Sequence, residues 1–229
     1  MLLTIIVHEF GHALTTQKLG GTVDSIILWP LGGFALCSPT DKGPEGDLKV
    51  AIAGPVTHIP QILFWFLLLV ISIGGDFSKV TFGVITFTQL HSGPGVYTAA
   101  VAMQAIVLNI TLMIFNLFIP AYPLDGGRVL ASTLIIKGVP PVKAAWITSI
   151  TAMVISCILG IAGLVLYFGK NDSNGMFQIF IAIFIFGTSY QLFTLARSGN
   201  VASHPLFGRE CYSNCVELGN SGTTGANNL

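Results

Sequence analysis

An apolar stretch near the N-terminus carries two histidines and a glutamate: Leu2-Leu3-Thr4-Ile5-Ile6-Val7-His8-Glu9-Phe10-Gly11-His12-Ala13-Leu14. An ionisable group in a membrane helix costs about 2.5–3.5 kcal/mol on insertion scales, so such a group usually marks function. Positions four apart share one face of a helix, so His8 and His12 can bind one metal ion. Glu9 lies beside His8 but outside that row, where it can reach a metal-bound water without being a ligand.

The composition is that of a membrane protein. Of the 229 residues, 52% are hydrophobic and only 9% are charged, with a mean hydropathy of +0.78. A soluble domain carries about 25% charged residues. The formal net charge of zero and the lack of a basic run give no indication of nucleic-acid binding. Four scattered cysteines do not form the pattern of a disulfide framework.

Apolar runs predict about five transmembrane helices, at residues 2–17, 51–73, 96–119, 144–168 and 176–196. The first is shorter than the roughly 20 residues that a full span needs, which leaves open that it is truncated. Two short apolar runs, 25–29 and 34–37, flank Pro30-Leu31-Gly32-Gly33 and predict a β-hairpin at the membrane. The predicted fold class is therefore an all-α polytopic membrane protein with a small membrane-associated β-hairpin.

Four further segments complete the prediction. Asp41 to Asp47 is expected to be a polar loop, Val80 to Phe87 a second small hairpin, and Val129 to Lys137 a short surface helix. Residues 198–229 are rich in Gly, Asn, Ser and Thr, which predicts a flexible polar tail. The domain organisation is thus one membrane domain, 1–197, followed by the tail.

The basic residues are distributed unequally between the two sides of the predicted bundle. With five spans, the loops 18–49 and 125–143 and the tail share one side, which holds Lys18, Lys42, Lys49, Arg128, Lys137, Lys143, Arg197 and Arg209. The other side holds Lys79 and Lys170. The positive-inside rule makes the first side cytosolic, or its equivalent in an organelle. Spans one and three run in the same direction, so Asp125 is expected at the same leaflet as the end of the first helix.

Asp125 is the best candidate for a third metal ligand. A zinc site with two histidines needs one more ligand and an open position for water. Of the ten acidic residues, the sequence pattern places all but Glu9 and Asp125 in polar loops or the tail. Asp125 ends an apolar run and precedes Gly126 and Gly127, which we expect to let the backbone turn tightly.

Several motifs together resemble those of the site-2 protease family, which are intramembrane zinc metalloproteases. They are the His8 to His12 segment, Ala53-Gly54-Pro55, the turn Trp29-Pro30-Leu31-Gly32-Gly33-Phe34, and the run Asn116-Leu117-Phe118-Ile119-Pro120-Ala121-Tyr122-Pro123-Leu124-Asp125-Gly126-Gly127. The resemblance covers about residues 1–137. The later spans and the tail carry no matching motif.

The resemblance implies a role for each site residue. His8, His12 and Asp125 would bind one zinc ion, and Glu9 would be the catalytic base. Asn116 would position substrate or stabilise the developing oxyanion, and the strand region at Gly33 would hold substrate in an extended form. The implied activity is cleavage of transmembrane segments of membrane proteins near the cytosolic face, by a multi-pass protein of the lipid bilayer.

The sequence also departs from the family pattern and leaves alternatives open. His58 stands where the family usually has asparagine, a change expected to affect substrate contacts more than the metal site. His58 was interpreted as a hydrogen-bonded histidine of the bundle rather than a ligand, and Asn116 alternatively as an interhelical hydrogen-bonding residue. His204, Cys211 and Cys215 were interpreted as part of a solvated tail. The competing functions are a catalytically idle relative, a metal transporter, and a metalloprotease with a downstream glutamate ligand.

Overall fold

The protein is represented by a computed structural model, which describes residues 1–29, 32–37, 40–75 and 94–201. The elements in chain order are α1 (Leu2–Lys18), β1 (Val23–Trp29), β2 (Gly32–Cys37), α2 (Gly43–Val56), α3 (His58–Ser72), α4 (Pro94–Phe118), α5 (Asp125–Ile136), α6 (Pro141–Leu164) and α7 (Asn174–Arg197). A π-helical turn, Val165–Gly169, continues α6.

Four helical segments are long and apolar enough to cross a membrane. They are Gly43–Ser72, which joins α2 and α3, and then Gly95–Phe118, Pro141–Gly169 and Asn174–Arg197. Large apolar side chains on these helices remain exposed, as expected of surfaces that face lipid, including Leu63, Ile71, Phe180 and Phe184. The fifth predicted segment is α1, which has 17 residues. The predicted fold class, a helical membrane protein with a small β-hairpin, is confirmed.

The hairpin and α1 pack together at the N-terminal end of the chain. Strands β1 and β2 pair antiparallel, with Ile26 opposite Ala35 and Leu28 opposite Gly33. Helix α1 buries one continuous face, formed by residues at three- and four-residue spacing: Thr4, Ile5, His8, Glu9, His12, Ala13 and Thr16. Strand β2 and helix α2 both contact α1. The histidines and the glutamate therefore point into the protein rather than toward lipid.

The loop between α4 and α5 is held by the later spans. Ala121 in this loop is fully buried against Ala152 of α6 and Ile185 of α7. The buried Ser189 of α7 donates its hydroxyl to the carbonyl of Tyr122 at 2.8 Å. These contacts set the position at which α5 begins, and its first residue is Asp125.

Two predictions of local structure are wrong. The predicted polar loop 41–47 is mostly the first turn of α2, which begins at Gly43 because Pro44 and Glu45 suit the start of a helix. As a result Asp47 is buried within α2. The predicted surface helix begins earlier, at Asp125, and buries one face through Ala131, Ser132 and Ile135.

Gly126 and Gly127 serve a different purpose from the tight turn that was predicted. Both lie in the first turn of α5, and neither has a positive φ. A Cβ on Gly126 would overlap the carbonyl oxygen of Ile119, and one on Gly127 would lie 2.6 Å from the carbonyl carbon of Ala121. The two glycines therefore allow α5 to approach the end of α4 closely. The predicted hairpin at 80–87 and nearly all of the predicted tail lie outside the described residues.

Candidate metal centre

Three buried side chains converge between α1 and α5. His8 Nε2 lies 3.1 Å from Asp125 Oδ2, and His12 Nε2 lies 3.2 Å from Asp125 Oδ1. The two Nε2 atoms are 3.1 Å apart. The exposed fractions are 4% for each histidine and 7% for the aspartate. Each of the three residues offers one ligand atom, and these atoms all lie within 4.8 Å of one another. Among the described residues, this is the group that could hold a metal ion.

The outer nitrogen of each histidine is occupied by a hydrogen bond. His12 Nδ1 lies 2.7 Å from the carbonyl oxygen of Val50 in α2, so it must donate. His8 Nδ1 lies 3.1 Å from Nε2 of His58 in α3. A ligating histidine typically uses its second nitrogen in this way, which leaves the first free for the metal. Two imidazole nitrogens and one carboxylate oxygen also form a donor set that suits zinc with an open fourth position.

Glu9 lies beside this group but is not part of it. The side chain is only 6% exposed, and it accepts a hydrogen bond from the backbone N–H of Ala35 in β2. Gly33 passes so close that a Cβ there would lie 2.9 Å from Glu9 Oε1. Strand β2 thus packs directly on the carboxylate, which places the extended hairpin backbone next to the candidate centre.

Asn116 reaches the same centre from the last turns of α4. Its amide nitrogen lies 3.5 Å from His8 Nε2, and the side chain is half-buried. The structure therefore brings all five predicted site residues into one place. Their ligand and catalytic roles remain predictions.

Asp125 lies outside the four candidate spans, at the first turn of α5. Burial alone would raise the pKa of its carboxyl group. When His12 and His8 are protonated, their charges and hydrogen bonds outweigh burial and hold that pKa well below its usual range. Arg128, one turn along α5, adds a positive charge with Nη1 3.7 Å from Asp125 Oδ1. The carboxylate is therefore available as an anionic ligand.

Close backbone contact between α1 and α2 depends on two glycines. A Cβ on Gly54 would overlap His12 Nε2, and a Cβ on Gly11 would lie 2.7 Å from the carbonyl oxygen of Ala53. This explains why the Ala53-Gly54-Pro55 motif occurs together with the histidine motif. Gly54 leaves the space in which the His12 imidazole lies.

His58 is closer to the centre than the sequence suggested. It is 1% exposed and hydrogen-bonded, as expected of a bundle histidine. The expectation that its departure from the family pattern affects substrate contacts more than the metal site stays a prediction, but His58 also contacts His8 directly. Its second partner, Asn109, was also missed. The signal was present, since a histidine and an asparagine in apolar spans both need polar partners.

Comparison with known proteins agrees with this geometry. The sequence model of Peptidase family M50 matches residues 1–160. A solved structure of a site-2 protease from Methanocaldococcus jannaschii superposes with a TM-score of 0.52 and 27% identity, over 83% of this chain and 74% of that one. This chain belongs to peptidase family M50, the site-2 protease family of metalloproteases.

Curated relatives extend the comparison. Rip3 of Mycobacterium tuberculosis is 28% identical over 82% of this chain and 44% of its own length. Zinc metalloprotease MJ0392 of Methanocaldococcus jannaschii is 32% identical over 58% of this chain and 33% of its own. Stage IV sporulation protein FB of Bacillus subtilis is 28% identical over 70% and 47%. This chain spans less than half the length of these relatives.

The packing of His12 on Gly54 yields a first prediction. Substituting Gly54→Ala should weaken zinc binding by at least about tenfold, because the new methyl group displaces the imidazole, as changes around metal ligands do. Zinc affinity measured by chelator competition on detergent-purified protein checks this. Gly187→Ala in α7 is the matched control, because a Cβ there has no atom within 4 Å. Equal affinities for both variants would contradict the prediction.

Proposed function

We propose that this chain is a zinc-dependent intramembrane endopeptidase that cleaves transmembrane segments of other membrane proteins. The observation that carries the proposal is the buried meeting of His8, His12 and Asp125 with Glu9 beside them. Three protein ligands and an adjacent carboxylate are the parts that a hydrolytic zinc site requires. The family membership and the names of the relatives support the same activity.

His8, His12 and Asp125 would hold one zinc ion. When bound, zinc supplies Lewis acidity, which lowers the pKa of a water ligand toward roughly 7 and polarises a carbonyl group. Glu9 is the base that accepts the proton of the attacking water, and it returns this proton to the nitrogen of the leaving amine. The hydrogen bond from Ala35 and the close packing of Gly33 orient the Glu9 carboxylate for both transfers.

Asn116 is positioned to act on the substrate. Its amide nitrogen lies within 3.5 Å of His8 Nε2, so an N–H donor faces the region where the scissile carbonyl would lie. A donor directed at an oxygen that gains negative charge lowers the barrier for acyl transfer. The alternative role for Asn116 is a hydrogen bond between helices. In that role its amide N–H would donate to His8 Nε2, which requires that this nitrogen carry a lone pair.

Substrate would bind as an extended segment beside the β-hairpin. A transmembrane helix hides its carbonyls in its own hydrogen bonds, so the segment must unwind before attack. The hairpin offers extended backbone next to Glu9, and an unwound segment can add to such an edge by β-augmentation. Pairing would present the scissile bond to the base while satisfying the exposed backbone groups.

The positive charges support a site near the cytosolic side. Lys18 ends α1, Arg128 lies in the first turn of α5, Lys137 follows the end of α5, and Arg197 ends α7. These positions lie at the end of the bundle that carries Asp125, while Lys170 follows the π-helical turn at the opposite end of α6. The positive-inside rule then favours cleavage near the cytosolic face, or the equivalent face in an organelle.

A metal transporter is less consistent with the same helices. Transport would require a polar path through several spans. Neither α6 nor α7 contains Asp, Glu or His. Among the described residues, the buried side chains of His8, His12 and Asp125 lie together at one centre, with Glu9 beside them.

Removing the carboxylate ligand tests the metal site. The Asp125→Ala variant should lose zinc, because only His8 and His12 would remain to hold the ion. Metal content of purified protein by elemental analysis checks this. Asp172→Ala is the matched control, because Asp172 lies in the loop before α7, where its carboxylate accepts from the backbone N–H of Asn174. Full zinc occupancy of the Asp125→Ala variant would refute the three-ligand assignment.

Replacing the base separates catalysis from metal binding. The Glu9→Gln variant should retain zinc and lose about 10²–10⁴-fold in cleavage rate, the usual contribution of a general base. Cleavage of a model transmembrane substrate in proteoliposomes measures this, with the exposed Glu45→Gln as control. If wild type and Glu9→Gln are equally inert with zinc bound, the chain is a catalytically idle relative that binds membrane proteins without cutting them.

Substrate unwinding can be tested on the substrate. A glycine pair placed at the cleavage site of a polyleucine span should raise the cleavage rate several-fold, because each glycine weakens the helix by about 1 kcal/mol. Mass spectrometry of the products gives site and rate. The control substrate carries the same glycine pair three turns away. Equal rates for the two substrates would exclude unwinding as a requirement.

A further inference from the structure

A chain of polar groups leads from His8 away from the candidate metal centre. His8 Nδ1 lies 3.1 Å from His58 Nε2, and His58 Nδ1 lies 2.8 Å from Asn109 Oδ1. The amide nitrogen of Asn109 then lies 2.8 Å from the carbonyl oxygen of Ala105, one turn earlier in α4. His58 and Asn109 are 1% and 0% exposed, so neither has water as an alternative partner.

We propose that His58 and Asn109 are positioning residues that fix the orientation and the tautomer of His8. This proposal rests on the proposed zinc site. His58 and Asn109 touch neither metal nor substrate and act through His8 alone.

We call the chain from His8 through His58 and Asn109 to the carbonyl of Ala105 the relay. The direction of each of its hydrogen bonds follows from the carbonyl at its end. The carbonyl of Ala105 can only accept, so the amide nitrogen of Asn109 must face it, and Oδ1 therefore faces His58. Since Oδ1 also only accepts, the ring proton of a neutral His58 is on Nδ1. Its Nε2 is then an acceptor for His8, whose proton must be on Nδ1. The lone pair of His8 Nε2 is thereby directed toward Asp125 and His12.

His12 reaches the same state by a shorter route. Its Nδ1 donates directly to a backbone carbonyl, that of Val50. The tautomer of each histidine is thus determined by a helix carbonyl, which can only accept. The carbonyl acts on His12 directly and on His8 through two side chains. His8 reaches a carbonyl only through the two side chains, because its Nδ1 meets Nε2 of His58 in α3 and His58 in turn meets Asn109 in α4.

The cost of the relay also indicates a purpose beyond stability. Asn109 and His58 lie in spans of otherwise apolar character, where an apolar residue would be accommodated without any partner. A buried polar group left without a partner costs about 1–3 kcal/mol. Replacing both residues by leucine should therefore leave the bundle folded while removing the orienting hydrogen bond to His8.

The experiment measures zinc affinity by chelator competition on purified full-length chain. His58→Leu should lower the affinity about 10–100-fold, the range for loss of a group that orients a metal ligand. His58→Gln should recover part of this loss, because its amide oxygen can accept from His8 Nδ1. Asn109→Leu should lower affinity less than His58→Leu, because His58 remains but its tautomer is no longer fixed.

The double variant tests that the two residues act in series. His58→Leu with Asn109→Leu should bind zinc no more weakly than His58→Leu alone, because Asn109 acts only through His58. Visible absorption of the cobalt-loaded proteins should change in His58→Leu and be restored in His58→Gln, which a purely structural role would not produce. Ser156→Ala is the control, since this buried hydroxyl bonds only Met153 of its own helix.

The outcomes distinguish the relay from the proposed function. If wild type binds no zinc, the proposed function fails. If wild type binds zinc and His58→Leu binds it as tightly with an unchanged cobalt spectrum, the relay is refuted while the metal site stands. A loss of affinity in Ser156→Ala equal to that in His58→Leu would also refute it, because the effect would then be general.

Discussion

The candidate centre depends on how two imidazoles are oriented around one buried carboxylate. His8 and His12 lie on the inward face of α1, and their Nε2 atoms come within 3.2 Å of Asp125. The Nδ1 atom of each ring, on its other side, is held by a hydrogen bond. The carbonyls of Val50 and, through the relay, Ala105 provide that support. Two helix backbones therefore determine which nitrogens are free to bind a metal.

Glycines make this meeting of helices sterically possible. Gly54 leaves space for the His12 ring, Gly33 lets β2 pass over Glu9, and Gly126 lets α5 start against the carbonyl of Ile119. At each position a Cβ would overlap a site residue or the backbone. The glycines of these motifs and the ionisable residues of the site are thus linked, because the side chains of the site lie where a larger residue would leave no space.

Where the signal is local, the sequence predicted which side chains come together. The four-residue spacing of His8 and His12 and the apolar setting of Asp125 identified the three potential ligands. It failed where contacts join distant helices: His58 meets His8 across 50 residues, and nothing in their spacing shows this. The hydrogen bond of His12 to Val50 uses a backbone carbonyl, so the residue type at position 50 does not predict it. The burial of Asp47 was missed because the start of α2 resembled a polar loop.

The later spans carry no recognisable motif, yet they determine where Asp125 lies. Ser189 of α7 bonds the carbonyl of Tyr122, and Ala152 and Ile185 enclose Ala121. The loop so held leads within four residues to Asp125. A shift of α7 relative to α6 would therefore move Asp125 away from α1, although neither helix carries a residue of the candidate centre. The contact between the two helices is close, since a Cβ added at Gly163 of α6 would lie 3.0 Å from the carbonyl oxygen of Gly175 in α7. Tight packing of α6 on α7 is thus needed to place Asp125 in the candidate centre, because the histidines are held by α2, α3 and α4 and only the aspartate depends on this pair.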